Sequence, residues 1–250
     1  MSPSPIPAAP LVLIHGIGET HRSWDDVVSL LGDITVIRYD LRGHGNAPTR
    51  PPVTSIDDFV DDLVDLFCAR GLDIAHVVGF SLGGLIAQRF AVREPFRVAT
   101  LIVIGTVAGR TDVEVDAARR RLRTVETFGP RGVAEESIRR WFTPQYLSAH
   151  PDVADQIIEQ LAAVDPIAYA AAYRVLASTD LADDLPSITA PTLAITGELD
   201  EGSPPHMCDL IAQATGGHAV IVPGVKHDIL REQPDRIAKE ILTHVGRDQF

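Results

Sequence analysis

The sequence predicts an α/β fold: a mostly parallel central sheet with helices on both faces, and a helical cap inserted between the fourth and fifth recognisable strands. Three observations carry that reading. Short apolar runs alternate with amphipathic helical stretches at both ends of the chain. The runs are rich in β-branched residues and mostly lack polar alternation, as in strands covered on both faces. Residues 111–186 read as helix throughout, with no strand among them. We therefore expect a core of residues 1–110 and 187–250, and a cap of residues 111–186.

The strand candidates are Leu11–Ile14, Ile34–Tyr39, His76–Phe80 (with Ala75 leading in), Ala99–Ile104, Thr192–Ile195 and Ala219–Val222. From Ser55 to Arg70, Ile56, Phe59, Val60, Leu63 and Phe67 fall on one helical face. Thr54 or Ser55 serves as cap, Asp57 and Asp58 lie in the first turn, and Gly71 stands beyond the end. A second helix starts at Leu82, directly after a strand, and stops before Pro95. Strand alternating with helix implies parallel pairing through right-handed crossovers. The cap is broken at Gly129-Pro130, Pro144, Pro151 and Pro166, and four short helices are expected there. The Pro-, Ala- and Ser-rich first ten residues read as a disordered leader.

The chain has 250 residues, enough to bury a large core. With 22 Lys+Arg against 34 Asp+Glu the net charge is −12, and the isoelectric point is near 5.1. That balance opposes a nucleic-acid partner, which calls for a basic stripe, and an anionic membrane surface, which calls for a polybasic anchor. The mean hydropathy of +0.09, without a long apolar run, excludes a spanning helix. The N-terminus lacks the basic and apolar regions of a secretory signal. Two cysteines, Cys68 and Cys208, stand far apart. They form no disulfide framework or metal cluster and suit a reducing cytoplasm.

The strongest chemical signal is Gly79-Phe80-Ser81-Leu82-Gly83, placed where a strand hands over to a helix. That context makes G-x-S-x-G a nucleophile elbow. A sharp strand–turn–helix strains the nucleophile's backbone, and side chains two residues before and after would collide, so glycines stand there. Ser81 is left at a helix N-terminus, whose dipole favours a developing anion. A hydroxyl needs a base, and the base needs an orienting acid, in the chain order Ser, acid, His. Gly197-Glu198-Leu199-Asp200 follows one strand, and Pro223-Gly224-Val225-Lys226-His227 follows the next. Parallel strands share one C-terminal edge, so Ser81, Asp200 and His227 can converge. Glu198 and Asp228 are rival carboxylates, read here as solvated or loop-structuring. The oxyanion donors are the backbone amides of Leu82 and Ile17, the latter in the loop His15-Gly16-Ile17-Gly18. His15 reads as a structural residue of that loop, and the Ile17 side chain as pocket lining.

With LVLIHGIG (11–18), Trp24, YDLRGHG (39–45), GFSLGG (79–84), TGELD (196–200) and VPGVKH (222–227), the chain resembles the α/β-hydrolase superfamily over nearly its whole length outside the cap. GFSLGGLIAQRFA and the GTVAG after the fourth strand are similar to 3-oxoadipate enol-lactonases and small aryl- or carboxylesterases. The resemblance implies a serine hydrolase without cofactor. It also implies two leading antiparallel strands, but only about ten residues precede Leu11, so either a shortened sheet or a truncated start is expected. Relatives that cleave carbon–halogen bonds or epoxides carry an aspartate at the elbow, so Ser81 points to acyl transfer. Carbon–carbon hydrolases of ring-cleavage products keep the serine and are the alternative. Their oxyanion loops often read HGGGPG, where this chain has HGIGETH.

Gly16-x-Gly18 with Asp40 about twenty residues on imitates a dinucleotide fingerprint, but the third glycine position holds His21. An NAD(P)-binding oxidoreductase is therefore the rival class. Of nine histidines only His227 has a catalytic address, and His44 is read as shaping its own loop. No spacing supports a metal site. Arg119 to Arg123, with Arg139 and Arg140, read as a solvated face of the cap helices, a carboxylate-binding wall being the sharper alternative. Gly16, His21 and Trp24 on the core side, and Trp141 and Tyr146 on the cap, are the expected substrate-binding residues. The expected partner is a small-molecule substrate, bound by a monomer or homodimer.

Overall fold

A computed structural model describes residues 9–246; the expected disordered leader lies mostly outside them. Six parallel strands form one sheet in the order β2-β1-β3-β4-β5-β6: β1 (Leu11–Ile14), β2 (Val36–Arg38), β3 (Ala75–Phe80), β4 (Val98–Ile104), β5 (Thr192–Gly197) and β6 (His218–Val222). Pairing runs from Leu11 opposite His76 to Ile14 opposite Gly79, and ends with Phe80 opposite Ile104 and Ile104 opposite Ile195. Side chains of the central strands alternate between two apolar layers. Val12, Ile14, Val77, Leu101 and Val103 face one layer, and Leu11, Leu13, Val78, Ile102 and Ile104 face the other. Both layers are buried and apolar, which is why these strands show no polar alternation.

The first layer is closed by α2 (Ile56–Arg70), α3 (Leu82–Arg93) and α9 (Pro205–Thr215). The second is closed by α1 (Asp25–Ser29), the short α10 (Ile229–Glu232) and α11 (Pro234–His244). Ser55 caps α2, the Asp58 carboxylate accepts the amides of Thr54 (2.7 Å) and Ser55 (3.0 Å), and Gly71 ends the helix at φ 61°. The second strand is shorter than Ile34–Tyr39 because β2 is an edge with one neighbour and only half-buried side chains.

Between β4 and β5 lie five helices rather than four: α4 (Asp112–Gly132), α5 (Ala134–Trp141), α6 (Pro144–Ala149), α7 (Val153–Ala162) and α8 (Pro166–Ser178). Gly129 bends α4 at φ 68°, and Pro144 and Pro166 open α6 and α8. Among the described residues no helix is long and apolar enough to cross a membrane.

Candidate active site

The carboxyl ends of β3, β5 and β6 bring three distant residues together. Ser81 is 8% exposed and is the one non-glycine residue at positive φ (53°) among those described. Its neighbours have no room for side chains: a Cβ on Gly79 would stand 2.1 Å from the Gly83 carbonyl, and one on Gly83 would stand 2.3 Å from the Ile14 carbonyl. His227 Nε2 lies 3.1 Å from Ser81 Oγ, and His227 Nδ1 lies 2.7 Å from Asp200 Oδ2. The second Asp200 oxygen accepts the amides of Gly202 (2.8 Å) and Ser203 (3.0 Å). A buried carboxylate at Nδ1 calls for the tautomer that donates to it, which leaves Nε2 to accept the Ser81 hydroxyl proton.

Burial disfavours an ionised Asp200, yet the His227 charge, its hydrogen bond and the two amides outweigh that cost and hold its pKa below the usual carboxylate range. Burial likewise opposes a charged His227. Asp200 overcomes this and raises the imidazole above its ordinary value, with Arg140 opposing and Asp228 assisting. The rival carboxylates have other work. Glu198 accepts the Gly224 amide at 2.9 Å in an exposed loop, and buried Asp228 pairs with Arg231 at 3.2 Å and caps α10.

Leu82 opens α3, so its amide has no intrahelical acceptor, and its side chain is buried in the core. Ile17 lies in the loop after β1 and, with Gly16 and Ser81, lines a cavity of about 440 Å³. His15 is structural as expected. It accepts the Leu41 amide at Nε2 (2.9 Å) and stands 2.7 Å from the Gly16 carbonyl at Nδ1, while burial first and His44 second drive its pKa down to about 3. His44 is buried edge-on to His15, within its own loop.

Trp141 also lines the cavity, but three expected substrate-binding residues do not. Trp24 is fully buried in the second apolar layer with Leu11 and Leu13, beneath the sheet. His21 is held by Asp40, through its amide (2.7 Å) and its ring (2.8 Å). Tyr146 stacks between Phe142 and His150, with ring centroids 5.4 and 4.2 Å away. Those bonds, with the Asn46 amide at 2.7 Å, also commit Asp40, the acid of the apparent dinucleotide fingerprint, to its own loop.

The reading of the arginines as one solvated face is overturned in part. Arg119, Arg120, Arg123 and Arg139 are exposed, but Arg120 also lines the cavity, together with buried Arg121, half-buried Arg140 and Arg110. Arg121 is buried against Glu136, Ser137 and the Val133 carbonyl. Arg110 donates to the carbonyls of Thr179 (2.7 Å) and Leu176 (2.8 Å). Arg140 has no carboxylate bonded to it among the described residues and stands beside the Asp200 turn, since a methyl group on Gly202 would meet its Nη2 at 3.2 Å. The sequence reading passes over Glu19, a buried carboxyl in the same cavity, which Tyr169 and Tyr173 of α8 also line. The i, i+1, i+4 spacing of Arg120, Arg121 and Thr124 was the available signal for one cavity-facing side of α4.

Residues 11–240 match the profile of the alpha/beta hydrolase family. The 3-oxoadipate enol-lactonase 1 of Acinetobacter baylyi is 30% identical over 194 residues, covering 77% of this chain and 72% of the relative. The crystal structure of the enol-lactonase from Burkholderia xenovorans superposes with a TM-score of 0.87 at 27% identity, covering 95% of this chain and 92% of that one. A thermophilic esterase from Thermogutta terrifontis, solved with malate bound, gives 0.85 at 30% identity over 96% and 90% of the two chains.

Proposed function

The chain belongs to the alpha/beta hydrolase family, and from that premise we propose that it is a cofactor-free serine hydrolase cleaving a small carboxylic ester or lactone through an acyl-Ser81 intermediate. The observation that carries the reading is the unbroken chain of contacts from Ser81 through His227 to Asp200. Ser81 Oγ attacks the carbonyl carbon as His227 Nε2 takes its proton. Asp200 holds the imidazole in register and balances the imidazolium. The amides of Ile17 and Leu82 meet the oxyanion, the term usually worth most in acyl transfer. His227 then protonates the departing alkoxide and afterwards takes a proton from the water that cleaves the acyl-enzyme. In a lactone the leaving oxygen stays tethered to the acyl group, so one product leaves.

Residues 111–186 act in this reading as a cap that selects substrate, because α4, α5 and α8 supply much of the cavity wall. The arginines suit a substrate that itself bears a carboxylate. One relative is named for 3-oxoadipate, and the esterase structure holds malate. Free Cys68 and Cys208 fit a reducing, cytoplasmic setting.

The test is a substrate panel on dialysed enzyme, with and without EDTA. Aryl acetates, enol-lactones and monoesters of dicarboxylic acids should be hydrolysed alike in both conditions, with the acidic substrates preferred. Arg140→Gln should cost that preference about ten- to a hundredfold, the scale of a lost charge-assisted hydrogen bond. Turnover confined to vinylogous diketones would overturn the ester reading.

A further inference from the structure

Glu19 is a buried carboxyl group of the cavity, 3% exposed, to which the mechanism above gives no task. It closes the turn that carries Ile17. The Gly16 amide donates to Glu19 Oε2 at 2.9 Å, and the Glu19 amide donates to the Gly16 carbonyl at 3.3 Å. A methyl group placed on Gly16 would stand 3.0 Å from Glu19 Oε2 and 3.2 Å from Ser81 Cβ. The carboxyl and the nucleophile thus flank the same glycine, and a charge on Glu19 is felt where the oxyanion forms.

The surroundings of Glu19 are short of positive charge. The groups facing it are Asp228, Arg231 and His227, all reached from the segment after β6. Asp228, 2% exposed, already holds Arg231 through Nη1 (3.2 Å) and the backbone amide (3.3 Å). Arg231 also donates to Gln160 of α7 at 3.4 Å, and Gln160 donates to the Gly18 carbonyl at 2.8 Å, which pins the other side of the turn. Two buried carboxyl groups therefore meet one guanidinium, and burial favours the neutral form of the one left over. Burial first, and Asp228 second, push the Glu19 carboxyl up to about 7, against Arg231, the Gly16 amide and His227.

We propose that Glu19 is a positioning residue of the oxyanion hole: as a neutral acid it ties the Gly16–Glu19 turn so that the Ile17 amide meets the reacting carbonyl, and once ionised it sets a negative charge against the oxyanion and slows the enzyme. The proposal rests on the acyl-Ser81 reading. The alkaline limb of the rate profile then belongs to Glu19, and the acid limb to His227.

The experiment measures kcat and KM for p-nitrophenyl acetate from pH 5 to pH 9 in wild type, Glu19→Gln and Glu19→Ala, with fluorophosphonate labelling of Ser81 in parallel. In wild type, kcat should fall above about pH 7. Glu19→Gln keeps an acceptor for the Gly16 amide and cannot ionise, so its kcat should complete the rise set by His227 and show no fall above about pH 7. Glu19→Ala releases the turn and should lose about a hundredfold in kcat with KM little changed, the scale of one lost oxyanion donor; Gln should restore most of that loss. An unchanged alkaline limb in Glu19→Gln, with Ser81 still labelled, overturns the role of Glu19 alone. Failure of the probe to label wild-type Ser81 overturns the acyl-enzyme reading and this inference with it. Should Glu19→Ala not fold, the Gln profile decides by itself.

Discussion

The Trp141 carbonyl accepts the Asp228 amide at 2.9 Å, which fastens the cavity wall of α5 to the residue beside His227. A second clasp lies close by, where Thr143 gives its amide (2.7 Å) and its hydroxyl (2.9 Å) to Glu232. Residues 111–186 are thus tied at two points to the segment that carries His227.

Trp141→Ala should accordingly change kcat/KM between bulky and small esters by roughly tenfold, the scale of a lost apolar contact. Hydrolysis of p-nitrophenyl acetate should change much less. Tyr146→Ala, which loses stacking outside the cavity, should lower the melting temperature and leave the ratio alone. Equal losses on every substrate in Trp141→Ala, at unchanged stability, would remove the insert as a specificity element.

Asp200→Asn should lose about four decades of kcat, as expected when the histidine is held in the wrong tautomer. Glu198→Gln removes a charge but keeps an acceptor for one exposed loop amide, and should lose far less. The comparison is read from initial rates on one activated ester.

His227 is raised above its ordinary value by Asp200, and its protonated form cannot accept the Ser81 proton. Activity should therefore rise with pH through a midpoint above 6.5, and Asp200→Asn should move that midpoint down. The Glu19 carboxyl also bears on stability. Its folded value of about 7 lies above its ordinary 4.5, so its contribution is complete below 4.5 and is lost as pH climbs toward 7. The melting temperature of Glu19→Gln relative to wild type should then climb between pH 5 and pH 8, as followed by circular dichroism.

Gly83→Ala should destabilise the protein by about 1–3 kcal/mol or more, because its Cβ meets backbone rather than a movable side chain. Gly224→Ala, at a positive φ but in open space, should cost less. Urea unfolding distinguishes them.

Much of this architecture is local and was legible in the sequence. The alternation of strand and helix, the elbow glycines and the loops after β5 and β6 each depend on neighbours in the chain. Tertiary placement was not legible. Trp24 and Trp141 look alike as aromatic residues near a loop, yet one is sealed under the sheet by strands and C-terminal helices, and the other faces the cavity. Arg119, Arg120 and Arg121 form one charge run, and helical geometry alone turns the last inward. Glu19 reads as an ordinary loop acid until Asp228, Arg231 and Gln160 arrive from the far half of the chain to bury it.

The most direct measurement is the site of covalent labelling by a fluorophosphonate, mapped by peptide mass spectrometry in wild type and in Ser81→Ala. The account predicts a single adduct on Ser81 in wild type and none in the variant, together with a loss of at least about three orders of magnitude in kcat. An adduct that persists in Ser81→Ala, or turnover that survives it, would contradict the assignment of Ser81 as the nucleophile.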